Sequence, residues 1–143
     1  MILDFEYSCV NYRGADLASY INESIIDYSV SEAPNYKINY DLFPNFWKPD
    51  SWVHKTISLY LEGEPDTNDS LTNEILGLLL QQHLFWIFWC LIMMKPSLFD
   101  SQGEVCEKGL EEISKFYVPY AQSRLEAYFW LRKKIMPDHP TKF

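Results

Sequence analysis

The feature that most constrains this chain is a long apolar segment near its middle. Residues 71–94 are rich in Leu, Ile, Phe, Trp and Met, and the segment stops at Lys95-Pro96. Polar residues at 81–83 interrupt it and leave only residues 84–94 continuously apolar, fewer than the roughly 20 residues that cross a bilayer. We therefore predict a long helix whose second half, apolar on all sides, is the central buried element of a folded domain.

Turn residues divide the rest of the chain into further helical segments, so the sequence predicts a mostly α protein. One short strand is predicted at residues 1–6, ending on Asp4-Phe5-Glu6. A helix is predicted over residues 16–27, with Asp16, Tyr20, Glu23 and Asp27 on one stripe. A second helix, capped by Asp50 or Ser51, is predicted to end near Leu61 and to be followed by a linker over residues 63–70. After the long helix we predict a loop over residues 96–103 and a helical region over residues 104–135 that Pro119 kinks or splits.

Charge and cysteine content narrow the classes of function. The 143 residues fit one domain, with 20 acidic against 12 basic residues and a net charge of -8. Such a chain repels phosphate backbones, which argues against a nucleic-acid partner. Its acidity is compatible with a small cationic ligand, and the alternative is that most of these charges are solvated surface. Cys9, Cys90 and Cys106 show no metal-binding or redox spacing. We expect reduced thiols in a cytoplasmic protein, with Cys90 in the core.

Two carboxylates at the end of the first strand are candidates for binding a metal ion. Asp4 and Glu6 would present oxygen ligands, the type that Mg²⁺ prefers, from a position fixed by the backbone. A triplet of this kind is more often an ordinary strand end than a metal site.

Aromatic residues form the second group of candidates. Trp86 and Trp89 are three residues apart and project from one helix face, where two indoles can attract a quaternary ammonium by about 2 kcal/mol. The alternative is that both pack in the core. Glu23 and Tyr28 are five residues apart and cannot share a helix face, so both can approach one ligand only if Tyr28 lies just past the helix end. The alternative for Glu23 is a solvated carboxylate. Tyr120 has the alternative of a half-buried tyrosine in an amphipathic helix.

The order of these signals resembles the choline/ethanolamine kinase family along nearly the whole chain. The matching stretches are DFEYSxxNYRGxD from Asp4 to Asp16, Glu23 followed by DYS at residues 27–29, HLFWIFW from His83 to Trp89, and YAQSRLEAYF from Tyr120 to Phe129. The chain departs from the family in being longer between Lys95 and Tyr117 and in carrying Pro119 beside the pocket tyrosine.

The resemblance implies a kinase that transfers the γ-phosphate of ATP to the hydroxyl of choline or ethanolamine, the first step toward the corresponding phospholipid. It implies a fold like that of protein kinases, with residues 1–143 as the α-rich C-terminal lobe and the N-terminal lobe missing. By the same resemblance Asp4, with Glu6 close by, holds Mg²⁺, and the substrate-binding residues are Glu23, Tyr28, Trp86, Trp89 and Tyr120, the last three forming aromatic walls around the cationic head.

The catalytic machinery of such a kinase is not found in these 143 residues. The sequence has no Gly-rich phosphate loop and no His-x-Asp followed by an Asn. The general base is therefore expected upstream, and we expect the isolated chain to be inactive.

Three functions remain open. Choline kinase is favoured because Tyr28 adds a ring to the cage, whereas ethanolamine, a primary ammonium, gains more from hydrogen bonds to carboxylates. Ethanolamine kinase is the alternative within the family, and a non-catalytic helical module that binds a partner through its aromatic surface is the alternative outside it. A homodimer is left open.

Overall fold

The computed structural model describes residues 10–32, 34–45, 51–62, 70–100 and 102–136. These residues are mostly helical, as predicted, and the strand predicted at residues 1–6 lies outside them. The elements in chain order are α1 (Ala15–Ser24), β1 (Ile26–Asp27), β2 (Lys37–Ile38), a 3₁₀ helix (Tyr40–Asn45), α2 (Trp52–Tyr60), α3 (Ser70–Leu98), α4 (Glu107–Glu112), a π-helix (Ile113–Tyr117) and α5 (Val118–Ile135).

Helix α1 packs its apolar face into the core and is shorter than predicted. Leu17, Ala18 and Ile21 are buried, and the helix ends at Ser24. The predicted end at Asp27 is wrong, because Asp27 belongs to β1, which pairs antiparallel with β2. The Asp27 carboxylate accepts hydrogen bonds from the backbone N–H and the hydroxyl of Ser29. Such local bonds favour a turn over a helix, so Asp27 leaves the predicted acidic stripe.

Helix α2 begins where the sequence indicated. Ser51 is the N-cap, and its hydroxyl oxygen accepts a hydrogen bond of 3.3 Å from the backbone N–H of His54. Of the two predicted caps, Ser51 is therefore confirmed, and Asp50 lies outside the described residues. The helix ends at Tyr60, next to the predicted end at Leu61.

Helix α3 is the longest element, but its second half is not the buried centre that the sequence predicted. The buried residues lie mainly in the first half and include Leu71, Ile75 and Leu79. In the second half Phe88 and Ile92 are exposed, Ile92 to 69%. The prediction fails because the helices packed on α3, namely α1, α4, the π-helix and α5, cover it only in part and leave side chains such as Phe88 and Ile92 exposed.

Within the described residues, α3 is also the one helix long and apolar enough to cross a membrane. Of the most apolar 18-residue stretch of α3, 28% is buried inside the protein. The core helix of a soluble protein passes the same test of length and composition, so the observation is weak evidence for a membrane span.

The predicted stop of α3 at Lys95-Pro96 is wrong, since the helix continues through Pro96 to Leu98. A proline removes one backbone donor and disrupts a helix most in its interior, whereas Pro96 lies in the last turn. The Ser97 hydroxyl donates a hydrogen bond of 3.3 Å to the Met93 carbonyl in the same turn.

The segment after α3 forms a tight turn instead of entering a helix at Glu104. The Asp100 carboxylate accepts hydrogen bonds from the backbone N–H groups of Gln102 and Glu104, and Phe99 forms a β-bridge with Val105. The predicted helix start at Glu104 is therefore wrong, and α4 begins at Glu107.

The predicted discontinuity at Pro119 is a change of helix type. The chain passes from the π-helix into α5 at Val118, directly before Pro119, and α5 ends at the predicted Ile135. Proline has no N–H to donate, so the first turn of a helix accommodates it without losing an internal hydrogen bond. Helix α5 makes its most extensive packing against α3, and α3 also packs on α1.

Candidate functional site

The Glu23 carboxylate is held by two donors from different parts of the chain. Glu23 lies in the last turn of α1, and its side chain is 40% exposed. Oε2 accepts a 2.5 Å hydrogen bond from the hydroxyl of Tyr28, which lies past the helix end, the position from which both residues were expected to be able to approach one ligand. Oε1 accepts a 3.1 Å hydrogen bond from Nη2 of Arg124 on α5. Glu23 therefore links the exposed Tyr28 to the buried Arg124.

Arg124 is completely buried in the ring cluster. The same Nη2 that binds Glu23 donates a 2.6 Å hydrogen bond to the Tyr120 hydroxyl. The guanidinium carbon lies 5.0 Å from the Tyr120 ring centroid and 5.7 Å from that of Trp86, which are cation–π distances. Burial alone would lower the pKa of Arg124, but Tyr120 and Glu23 outweigh it and raise the pKa, so the guanidinium stays charged.

The two tryptophans predicted to share a face do contact each other. The ring centroids of Trp86 and Trp89 are 5.7 Å apart in an edge-to-face arrangement, and Trp89 lies 6.4 Å from Tyr120. Both indoles are partly buried and pack against the core cluster. They therefore take part in core packing, as in the alternative interpretation, and remain partly accessible at its edge.

Tyr120 is buried more deeply than the half-buried tyrosine that the sequence suggested. Its ring lies 4.9 Å from Tyr36 and 5.7 Å from Phe116, in addition to the guanidinium of Arg124. Tyr36 reaches α5 directly, since its hydroxyl bonds the Ser123 hydroxyl and the Tyr120 carbonyl. Burial is the main cause that raises the pKa of Tyr120, so its phenol is neutral and can accept from Arg124.

The groups that a ligand can reach are those at the rim. Tyr28 is 57% exposed, with its ring 6.3 Å from Tyr36, and the Glu23 carboxylate is beside it. The members of the cluster that solvent reaches are Glu23, Tyr28 and the partly buried Trp86 and Trp89, and we call these four residues the rim; the Glu23 carboxylate is already paired with Arg124. Tyr120 is buried beneath them.

Two polar residues besides Arg124 are buried among the described residues. His83 and Asn22 are buried, and Asn22 donates a 3.2 Å hydrogen bond to the Leu79 carbonyl. Burial, assisted by the positive charge of Arg124, lowers the pKa of His83 to about 3, so the imidazole is neutral. Burial also raises the pKa of the Cys90 thiol to about 11, consistent with the predicted reduced thiol in the core.

The predicted metal ligands Asp4 and Glu6 lie outside the described residues. Within the described ranges, no group of three or more His, Cys, Asp and Glu side chains is arranged to hold a metal ion. The two predicted residues offer carboxylate oxygens, a donor set that fits Mg²⁺.

Sequence reasoning missed Arg124 and Tyr36. One signal for Arg124 was available, because it follows Tyr120 by four residues and therefore shares its helix face. Nothing local distinguished Tyr36 from the other aromatic residues of the irregular segment over residues 34–47.

Comparison with known proteins identifies related sequences. A sequence model of the choline/ethanolamine kinase family matches residues 1–129. The chain is 27% identical to choline kinase alpha of Mus musculus, over 94% of this chain and 28% of that protein. It is 27% identical to a choline/ethanolamine kinase of Homo sapiens, over 97% and 33% respectively. It is 24% identical to ethanolamine kinase 1 of Mus musculus, over 93% and 32%. No solved structure matches significantly. The chain thus spans about a third or less of the length of these relatives.

Proposed function

Since the chain belongs to the choline/ethanolamine kinase family, we propose that it supplies the amino-alcohol-binding part of a kinase that phosphorylates choline with ATP. The observation that carries the proposal is the meeting of residues from separate stretches of the chain in one cluster. Glu23 comes from α1, Tyr28 from the segment after β1, Trp86 and Trp89 from α3, and Tyr120 from α5.

The rim of this cluster has the chemistry to bind the cationic head of an amino-alcohol. The rings of Tyr28, Trp86 and Trp89 attract a positive charge through their faces, by about 0.5–1 kcal/mol at exposed sites and more where water is excluded. Glu23 contributes carboxylate oxygens next to the Tyr28 hydroxyl. With its head held here, the substrate would direct its hydroxyl outward, toward the phosphate donor.

Nucleotide chemistry would rely on residues outside the described part of the chain. Asp4 and Glu6 would hold Mg²⁺, which neutralises phosphate charge when bound. The general base would come from another part of the enzyme, because these 143 residues contain no His-x-Asp followed by an Asn.

Choline is the favoured substrate and ethanolamine the alternative. A trimethylammonium group donates no hydrogen bond and depends on ring faces, and the Tyr28 ring, which is 57% exposed, adds one to those of the indoles. A primary ammonium donates three hydrogen bonds and depends on free acceptors.

A non-catalytic binding module is the second candidate, and the exposed apolar side of α3 favours it. Phe88, Leu91 and Ile92 are all more than half exposed there, which is typical of a docking surface. If a longer protein that includes these 143 residues phosphorylates choline, binding a partner cannot be the sole function of the chain.

The proposed site is tested by calorimetric titration of choline into the 143-residue chain. The choline Kd of the wild type is compared with those of Trp86→Leu and Trp89→Leu. Each variant removes one indole from the rim. Losing one ring should weaken choline binding by about 1–2 kcal/mol, or up to roughly thirtyfold in Kd. Ethanolamine should be affected less.

The matched control is Trp130→Leu, which removes an indole that packs on Tyr40 and Phe43. We expect it to leave the choline Kd unchanged. If all three variants weaken choline and ethanolamine alike, the tryptophans serve the core and the proposed cage is wrong.

A further inference from the structure

We infer that Arg124 is a positioning residue that sets the preference of the site for choline over ethanolamine. The inference rests on the proposed function and concerns how the site chooses between two cations. Arg124 would not touch the substrate, since its side chain is completely buried. It would act through Glu23 and Tyr120, the two groups to which its Nη2 donates.

The surroundings of Arg124 fix its guanidinium in place. The planar group lies against the rings of Tyr120 and Trp86, and its charge is felt by His83 and Cys90. A guanidinium can stack on rings and donate hydrogen bonds from one rigid plane, which a lysine ammonium cannot do. Nε and Nη1 of Arg124 are buried and have no hydrogen-bond partner in the described part of the chain. The side chain therefore directs a single nitrogen to both acceptors.

Both oxygens of Glu23 are engaged as a result. Arg124 binds Oε1 at 3.1 Å, and the Tyr28 hydroxyl binds Oε2 at 2.5 Å. Each oxygen keeps one further lone pair, but the guanidinium compensates the negative charge that would attract a second cation. A carboxylate in this state is a weaker acceptor for an ammonium than a free one.

This state of Glu23 affects the two substrates differently. Ethanolamine carries a primary ammonium whose affinity depends on donating to acceptors such as Glu23. Choline carries a trimethylammonium that donates nothing and depends on the faces of the Tyr28, Trp86 and Trp89 rings. By occupying Oε1, Arg124 lowers the affinity for ethanolamine more than that for choline.

The test is the ratio of the ethanolamine Kd to the choline Kd, measured calorimetrically for the 143-residue chain and for Arg124→Gln and Arg124→Lys. Gln removes the charge, so Glu23 becomes free to accept from ethanolamine and the ratio should fall by about tenfold. Lys keeps the charge but not the rigid fork, so its ratio should lie between those of the wild type and Arg124→Gln. Circular dichroism establishes which variants are folded.

A third variant, Tyr28→Phe, frees Oε2 while keeping the ring. Tyr28 is 57% exposed, so the fold should tolerate the change. We expect the ratio to fall by about threefold, because one acceptor is released without loss of a ring face.

The outcomes separate the inference from the proposed function. If the wild type binds neither cation, the proposed function fails and the inference with it. If the wild type binds choline but the ratio is unchanged in the folded Arg124 variants, the inference alone is overturned. If only Arg124→Lys folds, a ratio below that of the wild type supports the inference and an unchanged ratio overturns it. If neither Arg124 variant folds, Arg124 serves folding only and the inference is likewise overturned.

Discussion

His83 is buried near enough to Arg124 for the guanidinium charge to act on it, and neither ring nitrogen has a hydrogen-bond partner among the described residues. Its pKa is lowered to about 3 in the folded chain, against about 6.5 when unfolded. Above pH 6.5 His83 is neutral in both the folded and the unfolded chain and does not lower the free energy of unfolding. As the pH falls from 6.5 toward 3, only the unfolded chain takes up the proton, so the free energy of unfolding decreases.

We therefore expect acid to destabilise the chain through His83. Between pH 7 and pH 5 the free energy of unfolding should fall by about 2 kcal/mol more in the wild type than in His83→Gln, which cannot titrate. Urea unfolding at several pH values measures the difference. A His83→Gln curve parallel to that of the wild type would contradict the assigned pKa.

At this scale the sequence indicated which side chains to examine but not how they are connected. Tyr28 contacts Glu23 because the chain leaves the helix at Ser24. The sequence alone indicated only that both residues could approach one ligand if Tyr28 lay past the helix end. The role of Arg124 depends on Glu23, which is distant in the chain. A residue so far from its partner leaves no local pattern.

At the scale of elements, the contact between α4 and the end of α3 depends on one glycine. A Cβ built on Gly109 would lie 1.5 Å from the backbone carbonyl oxygen of Ser97. Any side chain there has to push the two helices apart. We expect Gly109→Ala to lower the free energy of unfolding by about 1–3 kcal/mol, the usual cost of overpacking.

Gly77→Ala is the matched control for Gly109→Ala, because a Cβ at Gly77 meets nothing within 4 Å on the exposed side of α3. Alanine is a better helix former than glycine, so this variant should gain about 0.5–1 kcal/mol. Urea denaturation of both variants checks the pair. Equal stability of the two alanine variants would show that α4 is not held as closely as the structure describes.

The elements that the sequence located well are those with local signals. The cap at Ser51 and the end of α5 at Ile135 are examples. The β1–β2 hairpin was missed because two residues per strand are too few to show an alternating pattern. The exposed side of α3 was missed for another reason, since an apolar sequence shows what a helix can bury but not which neighbours cover it.

At the scale of the whole molecule, α1, α3 and α5 act as a frame that holds the substrate-binding candidates together. The chain spans about a third or less of the relatives with which it was compared. Its fold class and family could be predicted from the sequence, because helical periodicity and the order of motifs are both encoded along the chain. Packing of the site could not, because it depends on contacts between distant residues.

We expect the purified 143-residue chain to show no turnover of choline and ATP with Mg²⁺. Removing a catalytic base alone costs about 10²–10⁴-fold in rate, and the sequence lacks the His-x-Asp arrangement and the Gly-rich loop as well. A coupled ADP-release assay measures the rate. Turnover that co-purifies with the chain and responds to Asp4→Ala would contradict this expectation.

The most direct test of the central claim is a nuclear Overhauser measurement between choline and the unmodified chain. The N-methyl protons of bound choline should show contacts with ring protons of Tyr28, Trp86 and Trp89, which form the rim. They should show none with Trp130, which packs on Tyr40 and Phe43. Methyl contacts confined to Trp130 or other rings outside the rim, or no contact at choline concentrations in the millimolar range, would contradict the account.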